Sequence, residues 1–306
     1  MARVAVIVPA YNCANFILLT LKYATTQTFR DLQIIVVNDG SSDNLAEVLQ
    51  DCPASVKVIS QQNGGMSAAR NCGMSESDSE FIALLDHDDI WHLDKLAAQV
   101  KLLEQNPQID LCFGEFQVWN DSQRVSFVRP TVSLQTVPEL TGWIYHQLIL
   151  TCWALPSTLM FRRSVLNEVG PFLQENSSTD DWEWMIRASR RHQFAKLRDC
   201  LTLYREHPNQ LSRKLLPTDV TAQMRERLIE QYGLTGPDGS AVDRVELDRR
   251  RYTGLLAFAA SHFGRGNVTV ALDHARRAIQ MHPTSPRGYL VAPKGLVRRG
   301  LNRLRG

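Results

Sequence analysis

A chain of 306 residues with 44% hydrophobic and 22% charged content sits near the soluble average, so a globular enzyme or binding protein of one large domain, or one domain plus an extension, is expected. Its formal net charge of +2 provides no global field to recruit nucleic acid, and no run of about 18 apolar residues is present to span a bilayer. The six cysteines, at 13, 52, 72, 112, 152 and 200, form no Cys-x-x-Cys pair, which argues against a zinc ribbon or a redox motif; reduced, structural thiols are expected.

The opening MARVAVIVPAYN lacks the apolar h-region and cleavage site of a secretory signal and reads as a first strand of a cytosolic protein. RVAVIVP (3–9) and LQIIVVN (32–38) are short β-branched runs suited to strands buried on both faces of a parallel sheet. Between them, apolar residues at 16, 17, 18, 21 and 24 predict a helix. SSDNLAEVLQDC repeats the helical unit behind Ser and Asp cap candidates, VKVIS is a strand, SAARNCGMS a helix and FIALLD another strand. This alternation predicts an open α/β sheet, in which ligands bind beyond the carboxyl ends of the strands.

From about 110 to 210 the alternation weakens. LCFGEFQVW and STLMFRR are strand candidates and DWEWMIRASRRH an amphipathic helix, which complete the same domain with a mixed edge. From about 220 the texture becomes helical: VTAQMRERLIEQYGL, then the turn TGPDGS, then two helices joined by GRGN that resemble a single tetratricopeptide unit. The expected division is a catalytic domain over 1–218 and a helical extension over 219–306. The final KGLVRRGLNRLRG has one Lys and four Arg, no acid, and Leu296, Val297, Leu301 and Leu304 at near-helical spacing. Such a segment suits peripheral contact with an anionic membrane, and a solvated, frayed terminus is the alternative.

Polar clusters close three strands: PAYN (9–12), NDGSSD (38–43) and DHDD (86–89). In the last, Asp86, Asp88 and Asp89 crowd together, at a cost unless something positive sits among them. Two carboxylates in an Asp-x-Asp arrangement supply hard oxygen ligands for Mg or Mn while leaving positions for phosphate. An acidic helix cap or solvated loop is the plainer alternative.

VAVIVPAYN, LQIIVVNDGSSD, NGGMSAARNCG, FIALLDHDD, STLMFRRSVLNEVGPF, TDDWEWMIR and YREHPNQLS occur in that order, and in this the chain resembles the inverting glycosyltransferases of family 2, to about residue 215. The resemblance implies a GT-A fold, a Rossmann-like and mostly parallel central sheet flanked by helices, with the helical extension behind it. It implies a sugar moved from a nucleoside-diphosphate donor, a UDP-sugar, to a glycan or lipid-linked acceptor, with a divalent cation, Mn or Mg, as cofactor.

The implied nucleotide contacts are Pro9, Ala10 and Tyr11 as a wall at the first strand end, Asp39 accepting from a uracil imide, Asn63 in the glycine-bearing loop, and Arg70 on phosphate or on the acids; Asp86 and His87 follow from DHDD. His87, in the middle of Asp-x-Asp, is expected to point away from the ion by strand alternation. The implied metal ligands are Asp86, Asp88 and His207. Asp181 is the implied general base, with Asp180 before it where Glu is more usual; a helix N-terminus capped by Thr179, Asp180 or Asp181 accounts for the acids equally well. Other readings are an Asx turn for Asp39, a surface ion pair for Arg70, sugar stacking or core packing for Trp182 and Trp184, and, for the whole chain, a non-catalytic scaffold. A nucleotidyltransferase would need a Gly-rich basic loop after the first strand, which PAYNCANF lacks.

Overall fold

The computed structural model describes residues 2–127, 132–174, 178–208, 210 and 214–291. The chain divides into two compact units: residues 1–210 with Thr235–Ser240, and residues 211–234 with 241–306.

The first unit is built on a mixed nine-stranded sheet. β1 (Val4–Ala10), β2 (Leu32–Asp39), β3 (Val56–Gln61) and β4 (Phe81–Leu84) are parallel, in the order β3-β2-β1-β4. All seven residues of β1 are buried, as its unbroken apolar run requires of a strand covered on both faces. The connecting helices are α1 (Ile17–Thr25), the single turn α2 (Leu45–Val48), and α3 (Met66–Ser75). Of the longer helix expected over 41–52, only α2 and a 3-10 turn at Leu49–Asp51 form. α1 buries Ile17, Leu21 and Ala24 against the strands. α3 approaches the sheet through Gly73, where a Cβ would stand 2.6 Å from Ile7 Cγ2.

Beyond β4 the sheet turns mixed. The short β5 (Ile90–Trp91) and α4 (Lys95–Gln105) precede β6 (Ile109–Trp119) and β7 (Thr136–Gly142); α5 (Tyr145–Leu150), β8 (Met160–Arg162), α6 (Arg163–Val169), α7 (Asp180–Ala188) and β9 (Gln193–Arg205) follow. β8 lies antiparallel between β4 and β6, and β9 runs parallel to β6 while pairing antiparallel with β5 and β7. The strand expected at STLMFRR shortens to three residues, because Pro156–Thr158 makes a 3-10 turn.

β9, thirteen residues long, has no expected counterpart. Its polar positions hide it: Lys196 is buried on Glu115 at 2.6 Å, and Asp199 accepts the backbone N–H groups of Ser133 and Leu134. With those groups satisfied internally, the strand needs no polar face and shows no alternation.

In the second unit, α8 (Val220–Tyr232) is capped by Asp219 and α9 (Arg244–Gly264) by Asp243, each accepting first-turn N–H bonds. A turn with Gly266 at φ +85° leads into α10 (Val268–Met281). Phe258 meets His274 at 4.4 Å and Tyr252 meets His282 at 4.6 Å, so α9 and α10 pack antiparallel. TGPDGS, expected as a turn within the helical extension, belongs to the first unit, where Thr235 O accepts from Arg190 at 2.7 Å. The basic segment at 294–306 lies outside the described residues. Among the described residues, no helix is long and apolar enough to cross a membrane.

Candidate functional site

Because β2, β1 and β4 are parallel neighbours, their three polar ends meet at one edge. Asn12, in left-handed backbone at φ 49°, laces the first two loops together: its N–H donates to Ser41 Oγ at 3.1 Å, and its Oδ1 accepts Ser42 N at 2.8 Å. The Asx-type bond expected of Asp39 is made by Asn38, whose Oδ1 accepts Ser41 N at 3.0 Å. That leaves the buried Asp39 carboxylate to a different task. It accepts Gln61 Nε2 at 2.7 Å and Gly64 N at 2.9 Å on Oδ1, and Gly65 N at 2.8 Å on Oδ2. Since each carboxylate oxygen has two acceptor directions, one remains on Oδ2.

The glycines thus serve the carboxylate first. Gly65 holds φ +87°, and Gly40 holds φ +68° where a Cβ would stand 2.7 Å from Asn63 N. Asn63 is thereby fixed through its backbone against the β2 end, its side chain exposed. Pro9 and Ala10 are buried and Tyr11 is exposed at 46%. His87 turns to this wall: its Nδ1 lies 3.0 Å from Pro9 O, and its own carbonyl accepts Thr20 Oγ1 at 2.9 Å.

The acids of DHDD separate into three environments. Asp86 Oδ1 accepts Arg70 Nη2 at 2.7 Å, with the guanidinium only 2% exposed. Asp88 Oδ2 lies 3.0 Å from His207 Nε2, a contact spanning 119 positions, with the imidazole against Phe16 at 4.5 Å. Asp89 is buried and accepts Arg205 N at 3.0 Å; burial, then the charges of Asp88 and Asp86, push its carboxyl well above the usual range.

Of the three expected metal ligands, therefore, only Asp88 and His207 meet. Asp86 is drawn to Arg70, and among the described residues no three His, Cys, Asp or Glu side chains converge. The pair nevertheless suits a divalent ion: cis ligands with bonds of about 2.1 Å sit about 3 Å apart, and an imidazole nitrogen beside a carboxylate oxygen is a donor set for Mn.

α7 brings the second acidic pair. Asp180 is buried and accepts Ser67 Oγ at 2.6 Å, which ties α7 to α3. Asp181 is half-buried, and its Oδ1 accepts Trp182 N at 2.8 Å. Burial raises the Asp181 carboxyl; the Arg70 charge and the Trp182 N–H pull against it, and the Asp86 charge adds to the rise. Of the expected cap candidates, Thr179 makes no side-chain cap bond, while Asp181 accepts the first-turn N–H of Trp182. The two tryptophans are structural: Trp184 is fully buried, stacked on Phe172 at 5.0 Å, and Trp182 Nε1 donates to Leu148 O at 2.7 Å.

Sequence reasoning missed three participants. Arg205 donates Nε to Asp88 O at 2.7 Å, pairs with Asp121, and lies over Trp119 at 4.6 Å and Phe16 at 5.0 Å. Ser157 Oγ accepts Asp86 N at 2.9 Å, and Ser67 holds Asp180. All three lie within the quoted motifs, but pairing across 71 to 117 positions is not visible as spacing.

Comparison with known proteins addresses the family and the fold. The model of glycosyl transferase family 2 matches residues 5–170. The uncharacterized glycosyltransferase EpsJ of Bacillus subtilis is 31% identical over 241 residues, covering 75% of this chain and 67% of its own length. The chain spans only 27–30% of the length of several Rickettsia relatives that it matches. Among solved structures, S. aureus TarS 1-349 in complex with UDP-GlcNAc matches with a TM-score of 0.61 at 19% identity, over 94% of this chain and 83% of that one. The mannosyltransferase PcManGT of Pyrobaculum calidifontis, in complex with GDP-Man and Mn2+, matches with a TM-score of 0.55 at 18% identity, over 97% and 80%. The fold is that of the GT-A glycosyltransferases, and the chain belongs to glycosyl transferase family 2.

Proposed function

We propose that the protein is an inverting, metal-dependent glycosyltransferase that moves a sugar from a nucleoside-diphosphate donor, a UDP-sugar, to a glycan or lipid-linked acceptor. One observation carries the reading: α3 bonds Asp180 through Ser67 at 2.6 Å and Asp86 through Arg70 at 2.7 Å, so the acidic pair with the candidate base and the candidate leaving-group site are held by the same helix. UDP-GlcNAc in the S. aureus structure, and GDP-Man with Mn2+ in the Pyrobaculum one, support a nucleotide-sugar donor and a divalent ion.

In this reading, Asp39 accepts a hydrogen bond from the uracil imide N–H on its remaining acceptor direction, with Pro9, Ala10, Tyr11 and His87 beside the ring and Asn63 in the neighbouring loop. Asp88 and His207 would hold the ion, with Asp86 next to them. When bound, a divalent cation supplies positive charge that stabilises the departing diphosphate. Arg70, buried with an unpartnered Nε, adds a second positive group there. Asp181 removes the proton from the acceptor hydroxyl as that oxygen attacks the anomeric carbon, and burial makes it a stronger base than a solvated aspartate. Asp180, bonded to Ser67, orients α7 rather than taking the proton. The expected setting is the cytoplasm, with contact at the cytoplasmic face of a membrane through the basic segment at 294–306 if the acceptor is lipid-linked.

The test is thermal. Mn2+ with UDP should raise the melting temperature well beyond the sum of the separate shifts, and Asp88→Ala should abolish that excess. Equal shifts in parent and variant would refute the metal-bridged reading.

A further inference from the structure

The segment between α5 and β8 is fixed to the candidate site at both ends. Trp182, the residue after Asp181, donates its indole N–H to Leu148 O at 2.7 Å. At the other end, Ser157 Oγ accepts Asp86 N at 2.9 Å, and Ser157 O accepts Trp91 Nε1 at 2.7 Å and Thr202 Oγ1 at 3.2 Å. Residues 151–156 therefore cross from the helix that bears the candidate base to the strand end that bears the acids.

Two half-buried residues on that crossing each carry a buried polar atom with no partner, Thr151 Oγ1 and Trp153 Nε1. Buried polar atoms are almost always satisfied, so two orphans two positions apart call for a partner that arrives from outside the chain. The Trp153 ring is also held: Lys196 Nζ lies 5.5 Å from its centroid and is itself bound to Glu115 at 2.6 Å.

We propose that Thr151 and Trp153 are specificity-determining residues, whose hydroxyl and indole N–H bind ring-substituent oxygens of the sugar that lies between Asp86 and Asp181. The inference rests on the transferase reading above and deepens it. An indole N–H can only donate, so its partner is a hydroxyl or acetamido oxygen; the threonine hydroxyl can donate or accept.

Trp153→Phe keeps the ring and removes the N–H, and Thr151→Val keeps the shape and removes the hydroxyl. With Mn2+ present, UDP release is measured from UDP-glucose, UDP-galactose, UDP-GlcNAc and UDP-GalNAc, beside UDP affinity by calorimetry and the melting temperature. Each variant should lose about 3- to 10-fold in kcat/KM for the preferred sugar, the loss of one net hydrogen bond, and narrow the gap to the next sugar. UDP affinity and melting temperature should hold. Unchanged sugar preference in both variants overturns the proposal, as does a loss of UDP affinity matching the loss in kcat/KM. A parent protein that binds UDP but turns over none of the four sugars, or all four equally, overturns it alone; a parent that neither binds UDP nor releases it overturns the transferase reading as well.

Discussion

Arg70 offers the sharpest test of the site's electrostatics. Its guanidinium is 2% exposed, pairs with Asp86 at 2.7 Å and lies 5.9 Å from the Phe172 ring. Removing one member of a buried pair costs about 3–5 kcal/mol; with the Asp86 side chain 19% exposed, the lower end, about 3 kcal/mol, applies. At about 2–4 °C per kcal/mol for a unit of this size, Arg70→Ala should melt about 6–12 °C lower. Asp86→Ala added to it should restore part of the loss, since the double variant leaves no unpaired charge, and the four-way cycle isolates the coupling. The second readout is the pH profile of donor hydrolysis. Arg70 holds the Asp181 carboxyl down against burial, so without it that carboxyl rises further and the acidic limb moves to higher pH. A loss under about 2 °C, a double variant no better than the single, or a limb moving to lower pH would each refute the reasoning.

Two further outcomes follow from burial of charge. Asp181→Asn should lower transfer about 10^2- to 10^4-fold yet melt higher than the parent at pH 7. The folded state raises this carboxyl, so its penalty grows as pH climbs from the unfolded value of about 3.9 and the gain in the variant should vanish near there; a variant less stable at pH 7 would contradict this. Lys95 is fully buried between Gln99 at 2.6 Å and the Trp91 ring at 4.0 Å, and burial lowers its ammonium from 10.5 to about 7. The unfolded chain therefore holds that proton more tightly, stability should rise between about pH 7 and 10.5 by at most about 4–5 kcal/mol, and Lys95→Met should flatten the rise in pH-dependent melting curves.

How much was legible depends on the range of the interaction. β1, β2 and β4 could be read because a strand covered on both faces is an apolar run, and their polar ends could be read as a site because parallel neighbours bring their carboxyl ends together. β9 could not, since Lys196 and Asp199 are neutralised by partners on other elements. The same limit governs the site. Asp88 and His207, expected as fellow ligands, do meet, and Arg70, expected on phosphate or on the acids, meets Asp86; which partner each acid takes is set by contacts that spacing along the chain does not show. Trp182 and Trp184 left open a choice between sugar face and core that only packing decides.

The crowding of acids at 86–89 is resolved by three different kinds of partner rather than by one. Asp86 has a guanidinium, Asp88 has an imidazole that can give way to an ion, and Asp89 is pushed by burial towards its neutral form while Arg205 donates its backbone N–H to it. Arg205 then binds the chain at both places, since its Nε reaches Asp88 O while its ring contacts reach α1's neighbour Phe16 and the β6 end at Trp119. The arrangement leaves one acid of the cluster, Asp88, whose carboxylate has among the described residues only an imidazole nitrogen as its hydrogen-bond partner, at the spacing of a shared ligand. That asymmetry is why an ion is expected to enter at Asp88 and His207 first, and why the Asp86 contribution must compete with Arg70 for its oxygen.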